Sequence, residues 1–371
     1  MALPSIPEYD TSIKVQDLVL PAVLQDGHPI EKRNRLVKYA GGFCVVYPYQ
    51  TPSKKYAVRC WHAEIAESKQ RTKLISEALH ASGLPYFVGF DYYDEGIVTA
   101  IGKQPIVVMD WVDALPLKKY IGEHIHESSV ISVLADTFMT MVKDLHRNHF
   151  SHGDLQHGNI MVKNDGSIIL VDYDSMYVPS LQGMKDEIKG LVGYQHNARW
   201  NNEFLSEKAD YFSELVIYLS LKALALFPSL WDDLHIEDTE TMLFSKEDID
   251  NPSKSMVIDK LKSNSTLVPM VNRLIEFVGK TSIDELLPLE QVLKSEAEGI
   301  SSKWASGNGY KQKKAKVTES SMIYSKWGSG NGYIKTEVNQ KKMAKLSDNI
   351  SNNLKDLNNA YITKYKNINR E

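Results

Sequence analysis

The hydrophobic pattern in the first third of the chain alternates with the period of a β-strand. Between residues 36 and 61, apolar and polar positions alternate, valine and tyrosine are frequent, and Gly41-Gly42 marks a turn. Residues 64–81 instead repeat apolar positions at helical spacing. The pattern therefore predicts a β-sheet crossed by one helix. Further strands are predicted at 87–91 and 105–112.

Longer helices are predicted after Pro116. Apolar residues recur at helical spacing in 130–148, 211–227 and 267–279. Between the first two of these helices lies a short β-hairpin, 160–173, with Asp165-Gly166 at its turn. A sheet-rich first part followed by a helical second part predicts an α+β fold with two lobes.

Residues 300–371 differ in character from the rest of the chain. They contain 14 Lys and Arg but 5 Asp and Glu, a net charge of +9, whereas the rest of the chain carries −13. The nine residues at 302–310, Ser-Lys-Trp-Ala-Ser-Gly-Asn-Gly-Tyr, recur at 325–333 with one substitution. Two copies are too few for a solenoid. We expect two copies of a linear motif on a flexible tail that ends in one amphipathic helix.

Composition excludes several classes of protein. The chain has 371 residues, of which 43% are hydrophobic and 24% charged, enough apolar side chains to build a core. Cys44 and Cys60 are too few for a disulfide framework or a four-thiolate zinc site. The longest apolar stretch, 215–227, is too short to span a bilayer, and the first residues lack the pattern of a secretory signal. We expect a soluble, cytoplasmic protein.

Three oxygen-bearing side chains occur in the central part of the chain. Asp154 and Asn159 belong to the sequence His-Gly-Asp-Leu-Gln-His-Gly-Asn at 152–159, and Asp172 follows 13 residues later. Phosphoryl transfer needs a carboxylate beside the attacking hydroxyl, and it needs oxygen ligands for the Mg²⁺ that bridges the phosphates. The hairpin predicted between Asn159 and Asp172 would bring all three together, which predicts a phosphoryl-transfer site.

These residues resemble the catalytic and metal-binding loops of the protein kinases, in which His-Arg-Asp precedes an Asn by five residues and Asp-Phe-Gly follows. The resemblance implies ATP and Mg²⁺ as cofactors, Asp154 as the catalytic base, and Asn159 and Asp172 as metal ligands. It also implies that Asp210, at the start of an apolar helix, supports the loop around His152. Because an unpaired buried carboxylate is costly, we expect Asp210 to accept backbone N–H bonds from that loop.

The N-terminal strands resemble the nucleotide-binding half of the same family. Gly41 and Gly42 lie in the counterpart of the glycine-rich loop, and Tyr39 and Cys44 stand in place of its first and third glycines. Arg59 stands in place of the lysine that pairs with the phosphates. Arginine keeps the positive charge, but it is longer and not an equivalent point charge, so Arg59 is a departure from the family's pattern.

The resemblance implies further contacts for the nucleotide. A helix carboxylate should hold the cation of Arg59, and both Glu67 and Glu77 qualify, because spacing alone does not choose between them. Buried apolar residues should enclose the adenine, and backbone groups beside the gatekeeper position of Met109 should bind its edge. The residues in these positions are Val46, Ala57, Met109, Asp110, Val112 and Met161.

The resemblance covers roughly residues 36–290 and is similar in wording to a bacterial branch of Ser/Thr kinase-like proteins. It implies transfer from ATP to Ser or Thr of a protein substrate in signalling, including autophosphorylation. We expect four segments: an N-terminal extension at 1–35, an N-lobe at 36–112, a C-lobe at 113–299 and the tail at 300–371.

Two other functions stay open. The same motifs resemble aminoglycoside and choline phosphotransferases, although the segment from Asp172 to Tyr194 favours a protein substrate. A nucleotide-binding pseudokinase scaffold without transfer is the other alternative, because Arg59 replaces the lysine. In the tail, the repeats at 302–310 and 325–333 are candidate docking motifs for a partner protein. The basic tail fits a solvated linker better than a nucleic-acid site.

Overall fold

The structure is a computed structural model that describes residues 3–63 and 68–294. The described residues all belong to one compact unit. The tail repeats, the terminal amphipathic helix and Glu67 lie outside the described residues, so those predictions stay predictions.

An antiparallel sheet forms the first lobe. Its order is β1-β5-β6-β8-β7, with β4 also paired to β5, while β2 and β3 form a separate ribbon. The central strands are buried on both faces: Val45 and Val58 belong to one hydrophobic core, and Trp61 and Val107 belong to the larger one. The strands are β1 (His28–Pro29), β2 (Glu31–Lys32), β3 (Arg35–Leu36), β4 (Tyr39–Ala40), β5 (Cys44–Gln50), β6 (Lys55–Trp61), β7 (Phe90–Thr99) and β8 (Gly102–Asp110).

Two helices pack on this sheet. The N-terminal helix α1 (Ile6–Ser12) places Tyr9 in the core of the lobe, where the Tyr9 hydroxyl donates to the Trp61 carbonyl oxygen at 2.9 Å. Ile13, next to α1, is also fully buried in this core. The second helix, α2 (Ser68–Ser82), packs against β7 and contributes to the larger core of the molecule.

The second lobe is mainly helical. A small sheet in the order β11-β10-β9 lies at its edge, and α4 and α5 pack together at its centre. Its strands are β9 (Leu115–Pro116), β10 (Ile160–Val162) and β11 (Ile168–Leu170). Its helices are α3 (Leu117–Glu123), α4 (Ser128–Arg147), α5 (Tyr211–Leu226), α6 (Leu230–Asp233), α7 (Lys246–Asp250), α8 (Met256–Lys262) and α9 (Val268–Val278).

The α+β architecture with a sheet-rich lobe and a helical lobe is confirmed. The helix α5 is buried on nearly every side, because its sequence is apolar all round, and it forms the centre of the larger core. Within the parts of the chain at 3–63 and 68–294, no helix is both long and apolar enough to cross a membrane.

Candidate active site

A cavity of about 540 Å³ lies between the sheet lobe and the helical lobe. Its size falls within the range of small-molecule sites, and apolar side chains from both lobes form most of its wall. Nearly all the residues predicted to bind the nucleotide line it: Gly41, Val46, Ala57, Arg59, Met109, Asp110, Val112 and Met161, together with Asp172. Gly42 does not line it and lies at the exposed tip of the turn between β4 and β5.

The loop after α4 holds Asp154 and Asn159 against each other. The Asn159 amide nitrogen donates to the Asp154 carbonyl oxygen at 2.8 Å and to its carboxylate Oδ2 at 3.0 Å. Both bonds use the Nδ2 end of the amide, so they leave the Oδ1 atom of Asn159 free to ligate a cation. The two residues predicted as base and metal ligand are thus joined directly.

Asp210 supports this loop from below. Its carboxylate accepts the backbone N–H of Gly153 at 2.9 Å and that of His152, the bonds that the sequence analysis expects of it. Asp210 is 1% exposed, so water does not replace these bonds. Gly153 adopts φ +77°, and a Cβ there would clash with the Ser175 carbonyl oxygen, which explains why no larger residue stands at this position.

The strand that precedes Asp172 is tied to the same loop. The Val171 N–H donates to the Asn159 carbonyl oxygen at 3.0 Å, and the Val171 carbonyl oxygen accepts the Nε2–H of His152 at 3.0 Å. Asp172 follows with φ +67°, a left-handed conformation that aspartate tolerates. The hairpin between Asn159 and Asp172 therefore places Asp172, which lines the cavity, beside the loop that holds Asp154 and Asn159; those two residues are not among the residues that line the cavity.

The donor set suits magnesium. The Asp172 side chain is 54% exposed towards the cavity. Asn159, whose Oδ1 is free, is bonded through its carbonyl oxygen to Val171, the residue before Asp172. Desolvation by the walls of the cleft, and secondly the Asp174 carboxylate, raise the pKa of Asp172. In the described part of the chain, no three His, Cys, Asp or Glu side chains cluster as metal ligands. Magnesium held by two protein oxygens and by phosphate oxygens fits this arrangement.

Arg59 is a buried cation at the wall of the cavity. Its side chain is 4% exposed, its Nη2 pairs with Asp174 Oδ2, and its Nη1 lies 3.7 Å from Asp172 Oδ1. The guanidinium also lies over the Trp61 ring, 5.7 Å from the centroid. Burial, the largest single influence, would lower the pKa of Arg59, but Asp174, Cys44 and Asp172 together outweigh it and the pKa is raised.

A helix glutamate is expected beside Arg59, but Glu77 does not fill that role, and the other candidate, Glu67, lies outside the described residues. Glu77 lies exposed on α2, along a groove that Phe150 and Pro179 also line. The residue that α2 directs towards Arg59 is instead Arg71, which is 4% exposed. Arg71 donates to the Asp174 carbonyl oxygen at 3.2 Å and to the Lys185 carbonyl oxygen.

The segment after Asp172 returns over the catalytic loop. The Leu191 N–H donates to Asp154 Oδ1 at 2.8 Å, and Gly190, at φ +79°, lies close enough that a Cβ would stand 2.6 Å from the same oxygen. Desolvation raises the pKa of Asp154, although the Leu191 N–H opposes this. One lone pair of Oδ1 is therefore occupied, and a second remains.

A buried arginine clamps this segment to the loop. Arg199 is 1% exposed, its Nε donates to Asp186 Oδ2 at 3.2 Å, and its Nη1 donates to the carbonyl oxygen of Gly153 and to Gln195 Oε1. Sequence reasoning did not single out Arg199 or Asp186. No local pattern marks them, because the pair forms only when the segment folds back.

The backbone that would bind the adenine edge offers one free donor. The Asp110 N–H donates to the Gly89 carbonyl oxygen at 3.0 Å, and the Trp111 N–H donates to the Lys55 carbonyl oxygen at 3.2 Å. Among the residues that the structure describes, the N–H of Val112 has no hydrogen-bond partner. Of the three N–H groups expected to bind the base, that of Val112 is the one available.

The two lobes, with this cleft between them, define a kinase-like domain. Residues 96–188 match the family profile described as the ABC1 atypical kinase-like domain. The match covers about a quarter of the chain, contains Asp154 and Asp172, and begins after Arg59. It indicates kinase-like phosphotransfer or nucleotide binding. No match was found among curated proteins.

Proposed function

We propose that this chain binds ATP with Mg²⁺ in the cleft and transfers the γ-phosphoryl group to a serine or threonine hydroxyl of a protein. The observation that carries the proposal is the hairpin that places Asp172, at the wall of a cavity that also contains Arg59, beside the loop in which Asp154 and Asn159 are joined. A binding site alone has no need for a carboxylate placed as a base, and Asp154 supplies one.

The adenine end of the cavity is apolar. Val46 and Ala57 from the sheet lobe and Met161 from the helical lobe form opposite walls, and the Val112 N–H is free to bind the base. At the other end, Asp172 and Asn159 would hold the magnesium, which neutralises charge on the β- and γ-phosphates. Arg59, whose buried Nε has no hydrogen-bond partner among the described residues and whose Nη1 lies 3.7 Å from Asp172 Oδ1, would donate to a phosphate oxygen.

In the transfer, the acceptor hydroxyl oxygen bonds to the γ-phosphorus as the bond from that phosphorus to the β–γ bridging oxygen breaks, and ADP leaves with the bridging electron pair. Asp154 receives the hydroxyl proton. The Leu191 N–H and the Asn159 amide hold the Asp154 carboxylate in place and leave lone pairs for that proton.

Full-length protein incubated with radiolabelled ATP and Mg²⁺ tests this function, both alone and with a generic peptide acceptor. We expect labelled phosphoserine or phosphothreonine in the wild type and its loss in Asp154→Asn. Asp136, exposed on α4, provides the matched control Asp136→Asn, which should label normally. Equal labelling in wild type and Asp154→Asn would contradict the proposal.

A nucleotide-binding scaffold is the second candidate, and the pairing of Arg59 with Asp174 favours it, because the cation is already partly neutralised. The two candidates differ in one result. A scaffold binds ATP with the same affinity in wild type and Asp154→Asn and labels nothing, whereas a kinase labels an acceptor only when Asp154 is present. Label found only on an aminoglycoside or choline would instead indicate a small-molecule phosphotransferase.

A further inference from the structure

Among the residues that the structure describes, no helix carboxylate contacts Arg59; Glu77 lies elsewhere, and Glu67 is outside the described residues. The carboxylate that does contact Arg59, Asp174, comes from the segment that also carries Asp172, two residues earlier. A buried guanidinium with no partner would be costly, so the source of its counter-ion decides how the cation is held.

We infer that Asp174 is the positioning residue that aims Arg59 at the phosphates of the nucleotide, in place of a carboxylate on α2. This inference rests on the proposed nucleotide binding and names a residue to which that function assigns no role. Asp174 acts through Arg59 and does not itself touch the nucleotide.

The geometry of the Arg59 guanidinium supports separate roles for Asp174, which holds the cation, and for Arg59, which would contact the nucleotide. Asp174 Oδ2 holds Nη2, and the Trp61 ring covers the guanidinium 5.7 Å away, so two sides of the group are fixed. Nη1 points to neither of these partners and lies 3.7 Å from Asp172 Oδ1, too far for a hydrogen bond. Nη1 therefore lies beside the metal-binding residue, where a phosphate oxygen would arrive, while Nε is buried without a hydrogen-bond partner among the described residues.

Asp174 is in turn held by α2. Arg71 donates to the backbone carbonyl oxygen of Asp174 and to that of Lys185, so it fixes the main chain and leaves the Asp174 carboxylate to Arg59. The Asp174 side chain is 19% exposed, and Arg71 and Arg59 are almost fully buried. The helix thus holds the counter-ion of Arg59 through an arginine that bonds to the main chain. In the family's pattern, the helix instead supplies a carboxylate that pairs with the cation directly.

Nucleotide affinity provides the test. The probe is a fluorescent methylanthraniloyl-ATP, titrated into full-length protein with Mg²⁺ and again with EDTA. We expect Asp174→Asn to weaken binding at least about tenfold in both conditions, because the effect runs through Arg59 and not through the metal. Asp172→Asn should weaken binding with Mg²⁺ only. Glu77→Gln is the matched control and should leave the affinity unchanged.

A double-variant cycle shows whether Asp174 acts through Arg59. If it does, Arg59→Gln combined with Asp174→Asn binds no more weakly than Arg59→Gln alone. Additive losses would overturn the inference, since they would give Asp174 its own contact with the nucleotide or metal. Unchanged affinity in Asp174→Asn, or a loss in Glu77→Gln equal to that in Arg59→Gln, would overturn it too.

A variant that does not fold and a wild type that binds no nucleotide would each be interpreted differently. If Asp174→Asn does not fold, Asp174→Glu keeps the charge and shifts it by one methylene; a partial loss of affinity supports the inference, and unchanged affinity contradicts it. If the wild type binds no nucleotide, the proposed function fails and the inference fails with it. A wild type that binds while Asp174→Asn binds equally well contradicts the inference alone.

Discussion

The backbone N–H of Leu191 donates to Oδ1 of Asp154 across 37 positions of sequence, at 2.8 Å. Because of this bond, the segment that follows Asp172 is part of the site and determines how the predicted base is oriented. Changes in that segment should therefore alter phosphoryl transfer even where they touch no nucleotide.

Gly190→Ala tests this dependence. The φ of +79° strains any larger residue, and the added Cβ would also stand 2.6 Å from Asp154 Oδ1, so we expect a displaced carboxylate and a transfer rate lowered up to about 100-fold. Gly183→Ala is the matched control, because its φ of +86° is equally strained but its Cβ meets no atom within 4 Å. Steady-state phosphotransfer on a generic peptide measures both. Equal losses in the two variants would show that backbone strain alone is responsible.

Asp210→Ala should destabilise the whole loop. The variant leaves the buried N–H groups of His152 and Gly153 without an acceptor, and each lost bond to a charged group is worth about 1.5–3 kcal/mol. We expect a loss of about 3 kcal/mol or more in the free energy of unfolding, measured by urea denaturation. Asp232→Ala, at an exposed carboxylate, should change it by less than about 0.5 kcal/mol. Similar values for the two variants would contradict the anchoring role.

The buried pair of Arg199 and Asp186 provides a third prediction. Arg199→Met removes one of the two cations that pair with the buried Asp186 carboxylate, the other being Lys189 at 3.2 Å, and should cost up to about 3–5 kcal/mol, whereas adding Asp186→Leu should recover part of the loss. Arg147→Met is the surface comparison, since the Arg147 side chain is 73% exposed and its pair with Asp144 is worth about 1 kcal/mol or less. Urea denaturation measures all three. A double variant that is less stable than Arg199→Met would argue against the lost compensation of the Asp186 charge as the cause.

His146 should make stability depend on pH. Its ring lies between Glu214 at 2.8 Å and Glu290 at 2.9 Å; burial alone would lower the pKa of His146, but the two carboxylates outweigh it and raise the pKa to about 9. A raised pKa stabilises the folded state most below about pH 6.5, the unfolded value, and the contribution disappears as the pH rises through about 9.

The wild type should therefore lose up to about 3 kcal/mol of unfolding free energy between pH 6.5 and pH 9 from this residue. His146→Gln, which cannot titrate, should show a flatter curve over the same interval. Urea denaturation at a series of pH values measures the difference. Parallel curves for the two proteins would exclude His146 as the titrating group.

Much of the site could be predicted from the sequence, because its central residues are close along the chain. Asp154 and Asn159 share one loop, and a single hairpin returns the chain to Asp172, so local patterns suffice to bring them together. The partner of Arg59 could not be predicted in this way. Which face of α2 turns inward depends on packing against β7, and that packing buries Arg71 and exposes Glu77.

The bounds of strand β7 also could not be predicted from the local sequence pattern. The sequence predicts a strand at 87–91, but β7 runs from Phe90 to Thr99 with a register shift between Tyr93 and Ile97. Polar residues within it hide the alternation that identifies a strand. The bounds of β7 are set by its pairing with β8. The two strands approach so closely that a Cβ at Gly96 would clash with Ile106.

The burial of Tyr9 and Ile13 against the sheet affects how this protein can be divided for experiments. A fragment designed to start at the first recognisable nucleotide motif, near residue 36, would strip the cover from Val45 and Tyr47 and expose their apolar faces to water. Such a truncation should aggregate on expression, and a working recombinant version must retain the leading helix that no catalytic motif points to.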